Sequence, residues 1–155
     1  MLHIVFGEAP QDGFRFRDFA TIVTVGSTPS WRAEAEALDG AIERALETIE
    51  RALQANPVER ASVCDAFRIR AELNIKAGQE HRAQADFRAA IARAQDLAAK
   101  AFKSRAAMGR ARMLQGRYAL SEARDFLAAD LLAFTEGFGT VELTNARELL
   151  SALMQ

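Results

Sequence analysis

Residues 45–57 read Ala-Leu-Glu-Thr-Ile-Glu-Arg-Ala-Leu-Gln-Ala-Asn-Pro. Ala45, Ile49, Ala52 and Leu53 recur at three- and four-residue steps, which puts them on one face of a helix. Asn56-Pro57 then stops that helix, because the residue before a proline is pushed out of helical geometry. The same spacing returns 38 residues later as Ala83-x3-Phe87-x2-Ala90-Ile91, without the proline. It returns again after 40 more as Ala123-x3-Leu127-x3-Leu131, with Asp130 where a small residue is expected. The recurrence has a packing meaning. A small residue lets two helices cross closely, and a large one four positions on plugs the gap to the next hairpin.

Working outward, other stripes fill the intervals. One runs through Ile69, Leu73 and Ala77 and meets an end signal at Gly78; another covers roughly 100–115 and ends near Gly116. Ala119, Ala123, Leu127, Leu131 and Phe134 form the next, which Gly137 and Gly139 break. Thr140 is an N-cap for a last helix with the stripe Leu143, Ala146, Leu150, Leu153. Short connections make sequential helices antiparallel neighbours. The expected fold is all-α: an antiparallel helix-hairpin α-solenoid of about three repeats over residues 30–136, closed by a capping helix over 140–154. An unrelated alanine-rich bundle would share the stripes but not their threefold recurrence.

Residues 1–29 differ in character. They hold three of the nine glycines and two of the three prolines, with β-type runs at Leu2–Phe6 and Phe19–Val25. Two readings stay open for this irregular segment: a hairpin over the first helices, or a disordered leader. The repeat domain spans 30–155.

Composition bounds the function. The 155 residues suit one domain with a real core. Alanine, the best helix former, occurs 32 times, and no proline follows Pro57. A net charge of -1 gives no global signal for nucleic acid or an anionic membrane. Cys64 is the single cysteine, which suits a reducing compartment, and no apolar run approaches the length of a membrane span. A cytoplasmic protein is the expectation.

The repeat segments resemble the second helices of the tetratricopeptide (TPR) family. Ala71 and Ala111 fall where that family has a small residue at the helix crossing, Phe67 sits near its large aromatic position, and Gly40 and Gly78 occupy the inter-helix turn. A closer resemblance covers about residues 59–154. It rests on Phe67-Arg-Ile-Arg-Ala-Glu-Leu, Lys103-Ser-Arg-Ala-Ala, Glu122-Ala-Arg-Asp-Phe-Leu and Phe134-Thr-Glu-Gly-Phe. These look like the C-terminal helical-repeat region of large bacterial signalling ATPases, many of which carry an adenylate/guanylate cyclase domain. The turn Gly116-Arg-Tyr-Ala-Leu-Ser is about two residues longer than that family's usual one, and these 155 residues hold neither the cyclase nor the ATPase part. The resemblance therefore implies a regulatory or scaffolding region, stand-alone or truncated, with an ATPase or nucleotide cyclase as one partner class.

Chemistry-bearing motifs are absent from the sequence. There is no Gly-x4-Gly-Lys-Ser/Thr loop and no Gly-x-Gly-x-x-Gly. His3 and His81 stand apart and no His/Cys cluster exists, so no metal or cofactor is expected. Asp125 and Asp130 are five residues apart and do not share a helix face. A non-enzymatic interaction module is the expectation. Its candidate site lies in a basic stretch. Lys100, Lys103, Arg105, Arg110, Arg112 and Arg117 occur between residues 97 and 121 with no acidic residue among them. In tetratricopeptide proteins the first helices of successive repeats line a concave surface. By that resemblance the groove here presents Arg68, Glu72 and Lys76 from one repeat, and Arg105, Met108, Arg112 and Gln115 from the next, all outside the apolar stripes. A mostly cationic groove suits an acidic peptide or a chain-terminal carboxylate. Nucleic acid fits worse, because no aromatics interleave the arginines. The bland alternative is a solvated face whose cations pair with neighbouring acids.

Overall fold

The computed structural model describes residues 28–55, 60–134 and 140–155, and these form seven helices. They are α1 (Thr28–Leu38), α2 (Ile42–Gln54), α3 (Arg60–Lys76), α4 (Glu80–Asp96), α5 (Lys100–Gly116), α6 (Leu120–Leu132) and α7 (Val141–Leu153). The described residues contain no strand. The expectations for residues 1–27, for Asn56-Pro57 and for Gly137 and Gly139 lie outside the described residues. Thr28 and Pro29, expected to be irregular, open α1 instead. A proline in the first helical turn loses nothing, since its missing N–H would have had no intrahelical acceptor there.

Sequential helices pack as antiparallel hairpins: α1 on α2, α3 on α4, α5 on α6. Odd-numbered helices also touch each other, α1 on α3, α3 on α5 and α5 on α7, whereas no two even-numbered helices pack comparably. The odd helices therefore make an inner layer and the even helices an outer, more splayed one. This is the all-α helical-repeat arrangement that the recurrence at Ala45, Ala83 and Ala123 predicts.

The recurring residues are the core. Ala45, Ala83 and Ala123 are fully buried, and so are Ile49, Phe87 and Leu127 four positions on. Each even helix is sandwiched between two odd ones. Ile49 packs with Ala33 of α1 and Ile69 and Leu73 of α3. Phe87 packs with Ala71 of α3 and Met113 of α5. Leu127 packs with Ala111 and Leu114 of α5 and Ala146 and Leu153 of α7. Phe87 fits only because α5 offers Gly109 opposite. A Cβ at Gly109 would lie 2.5 Å from the ring's Cε1 and 2.9 Å from Cζ.

Four connections share one left-handed turn. Gly40, Gly78, Ala98 and Tyr118 all have positive φ, of 80°, 72°, 52° and 59°. At each, the residue's own N–H and that of the next residue reach back to carbonyls of the preceding helix. In the third hairpin these bonds are Tyr118 to Gln115 (3.0 Å) and Ala119 to Leu114 (3.0 Å). This paired closure satisfies carbonyls that a helix end leaves unbonded. The α5 helix thus runs through Gly116, and Tyr118 takes the turn position. Its turn is as short as those after α1 and α3.

The last helix closes the solenoid. Ala146 and Leu153 of α7 are buried against α5 and α6 and Leu143 is buried too, while Thr144, Asn145, Arg147, Glu148 and Ser151 are exposed. A repeat array needs such a polar-faced end. Thr140 sits at the N-cap in extended geometry, but its side chain makes no capping hydrogen bond; its carbonyl accepts from Oγ1 of Thr144 at 3.0 Å.

Candidate functional site

The inner layer carries the residues that the sequence marks as a groove. On α5, Lys103 and Arg110 lean toward α6, where they meet Asp130 and Glu122. Arg105 and Arg112 lie on the opposite side of that helix, seven residues apart and so nearly in line along its axis. Arg105 reaches α7, where its Nη2 donates to Oε1 of Glu142 at 2.7 Å. On α3, Arg70 and Asn74 face α4, whereas Arg68 points the other way, to Glu34 of α1. The inner face is therefore bridged by Glu34–Arg68 at one end and Arg105–Glu142 at the other.

This face is less cationic than expected. Arg68 is held by three carboxylates: Asp65 at 2.8 Å, Glu72 at 2.9 Å and Glu34 at 3.2 Å. Burial alone would lower its pKa, but the bonds and charges of Asp65 and Glu72 outweigh that and raise it further. Each of the three guanidinium nitrogens of Arg68 is bonded to a carboxylate. Of the six cations between residues 97 and 121, four have a carboxylate partner: Lys103 with Asp130, Arg105 with Glu142, Arg110 with Glu122 and Arg117 with Glu80. Sequence spacing misses these partners because each lies on another helix.

Met108 does not line the groove that the sequence predicts. Its side chain is 6% exposed and belongs to the cluster of Ala111, Leu114 and Leu127, so it is core and not groove lining. The reason is the tight odd–odd packing, which covers the part of α5 beside α7. Gln115 is half-buried, and Lys76 is exposed at the end of α3. Glu72 is spent on Arg68. Arg112 is exposed and has no ion pair or hydrogen bond among the described residues.

Arg105 is a different kind of cation from Arg68. Its side chain is 44% exposed and that of Glu142 24%. Its guanidinium also lies over the Phe102 ring, 5.6 Å from the centroid. The bond from Arg105, aided by a backbone donor, holds the Glu142 carboxyl below the ordinary glutamate range. Exposed pairs of this kind contribute only about 0–1 kcal/mol and exchange readily with other ions.

The outer layer holds a second polar cleft of about 400 Å³, bordered by Glu50, Arg70, Asn74, Arg82 and Asp86. Its three inner groups, Arg70, Asn74 and Asp86, are already used by one another. Asp86 accepts two bonds from Arg70, at 2.6 and 3.0 Å, and one from Asn74 at 3.0 Å. Arg70 lies over the Phe67 ring on one side, and Arg93 approaches the same ring at 5.2 Å. The constellation ties α3 to α4. Cys64 is buried in the core and burial pushes its thiol pKa up, which suppresses the reactive thiolate. Among the described residues no group of three His, Cys, Asp or Glu side chains is arranged to hold a metal ion, and no helix is long and apolar enough to cross a membrane.

Comparison with models of known protein families gives no match, and no curated protein or solved structure matches significantly.

Proposed function

We propose that this protein is an interaction module that holds an acidic peptide or protein segment on the inner face formed by α3, α5 and α7. One observation carries the reading: Arg112 stands exposed on that face with no carboxylate partner among the described residues, in line with Arg105, whose one partner is half-buried and still reached by water. A guanidinium presents a rigid fork of donors that matches carboxylate geometry. The fold supports the reading too. Odd helices that touch each other expose a row of side chains which the hairpin cores do not need.

The site is a mixed-charge face with one unpaired arginine, Arg112, and one, Arg105, held by a single carboxylate. This selects a ligand that brings few, well-placed carboxylates over one that is uniformly anionic. The bland alternative accounts for Arg68, Arg110 and Lys103, all of which are tied down within the fold. It does not account for Arg112.

The test is a fluorescence-anisotropy titration with labelled hexaglutamate. The double variant Arg105→Glu/Arg112→Glu is expected to lose binding while its melting temperature stays within a few degrees of the wild type, because exposed pairs contribute about 0–1 kcal/mol. Wild-type binding should weaken between low and physiological salt, where the Debye length falls to about 8 Å. Unchanged binding in the double variant would remove this face from consideration.

A further inference from the structure

Arg105 and Arg112 share a helix face, but only Arg112 is vacant. The seven-residue step from one to the other corresponds to about 10.5 Å along the axis at 1.5 Å per residue. Arg105 is occupied from within the chain by Glu142, which sits in the first turn of the closing helix.

We propose that Glu142 is a built-in stand-in for a ligand carboxylate, displaced when an extended peptide with two acidic residues at positions i and i+3 bridges Arg112 and Arg105. The proposal rests on the reading of the inner face as a peptide site and assigns that site its spacing.

Three features carry it. First, the contact copies what a ligand would make: one carboxylate oxygen on Nη2 at 2.7 Å, with both side chains still reached by water. Second, α7 does not depend on it. Ala146 and Leu153, with Leu149 and Leu150 beside them, anchor that helix in the core independently of Glu142. Third, the distance selects a ligand. A polyproline II peptide rises about 3.1 Å per residue with three residues per turn, so acids at i and i+3 point the same way about 9 Å apart. Long arginine side chains absorb the remaining ångström. Adjacent acids, only about 3 Å apart along the peptide, reach one arginine and leave Glu142 in place.

Arg68 lacks this behaviour. Three carboxylates hold it, and removing one leaves two. The exchangeable end of the inner face is therefore the α5–α7 end.

The experiment compares two capped peptides of equal charge and composition, Pro-Glu-Pro-Pro-Glu-Pro and Pro-Pro-Glu-Glu-Pro-Pro, by isothermal titration calorimetry. The full chain is used as wild type, Glu142→Gln and Arg112→Ala. The wild type should bind the spaced peptide about tenfold tighter than the adjacent one, the worth of about 1.4 kcal/mol for the second contact. Glu142→Gln should bind the spaced peptide several-fold tighter than the wild type does, because nothing has to be displaced. In the wild type the Glu142 side-chain carboxyl carbon signal should move on saturation with the spaced peptide and stay in place with the adjacent one. That readout does not depend on any variant folding. Equal affinity for the two peptides would overturn the spacing. An unmoved Glu142 signal, with no gain in Glu142→Gln, would overturn the displacement while leaving the groove intact. No binding of either peptide, or full binding by Arg112→Ala, would remove the groove and this inference together. An oligothymidylate of equal charge that binds better than the spaced peptide would replace it with general polyanion attraction.

Discussion

The second and third hairpins solve the same packing problem with different residues. In α3/α4 the turn glycine is Gly78, the plug is Phe87, and the buried acid Asp86 is met by Arg70 and Asn74. In α5/α6 the turn position holds Tyr118, the plug is Leu127, and the buried acid Asp130 meets, among the described residues, only Lys103, at 3.0 Å from Oδ1 and off the hydrogen-bonding line. The buried Cys64 of α3 has its counterpart 40 residues on in Ser104, whose hydroxyl is buried with no hydrogen-bond partner. One hairpin has its polar groups matched, and the other carries unmatched ones and a strained turn. The difference teaches that the apolar plug and the small crossing residue define the repeat, while the polar details around them vary without changing it.

The largest expected effect lies at the plug that joins the two hairpins. Phe87→Ala should cost about 3–5 kcal/mol by leaving a cavity between α3 and α5. Gly109→Ala should cost a comparable part of that, because its new Cβ would meet a fully buried ring that has nowhere to go. The two are coupled: in the Phe87→Ala background, Gly109→Ala should be nearly harmless or favourable. Urea denaturation of the four members of that cycle measures the coupling, and simple additivity would break the assignment of Phe87 to Gly109.

Next come the buried acids. Asp86→Ala strips Arg70 of its two bonds and Asn74 of one, and should cost about 3 kcal/mol. Asp130→Ala places there the small residue already present at Ala52 and Ala90, and frees Lys103 to turn toward water. Its expected cost is below about 1 kcal/mol, since an unaligned pair gains little over its desolvation. Thermal melts of the two variants side by side check the contrast. Equal losses would mean that the third hairpin depends on Asp130 as much as the second does on Asp86.

The smallest effect tests the turns. An L-residue in the left-handed region costs about 1–2 kcal/mol, and Tyr118 is 92% exposed, so it offsets none of that by packing. Tyr118→Gly should raise stability by about 1 kcal/mol, while Gly78→Ala should lower it by a similar amount. Differential scanning calorimetry resolves both. A Tyr118→Gly variant that melts lower would show the tyrosine contributing through contacts that its exposure conceals.

Much of the architecture was legible because it repeats. Ala45, Ala83 and Ala123, each followed by a large residue four positions on, revealed both the helix period and the number of hairpins, and all six are buried as that pattern requires. The helix ends at Gly40 and Gly78 were legible for a local reason, the freedom of glycine at positive φ. Tyr118 and Ala98 adopt the same turn without any local signal. There the hairpin geometry overrides the residue's own preference. Gly109 was equally silent, since a glycine inside a helix gives no notice that a ring from another helix will lie against it.

The site divides along the same line. Sequence alone determined that α5 would be rich in cations and that Arg105 and Arg112 would share one face of it, because a helix's period is a local property of the chain. Only the tertiary structure decided which cations stay available. Ion pairing depends on what other helices bring within a few ångströms, and Glu34, Glu142, Asp130 and Glu80 lie 27 to 37 residues from the cations they meet, far beyond the local spacings that flag a pair. The same holds for Met108, which reads as groove lining on a helical wheel and becomes core once α7 lies beside α5. Helix periodicity is written within a few residues; burial and charge neutralisation are sums over neighbours that only folding assembles.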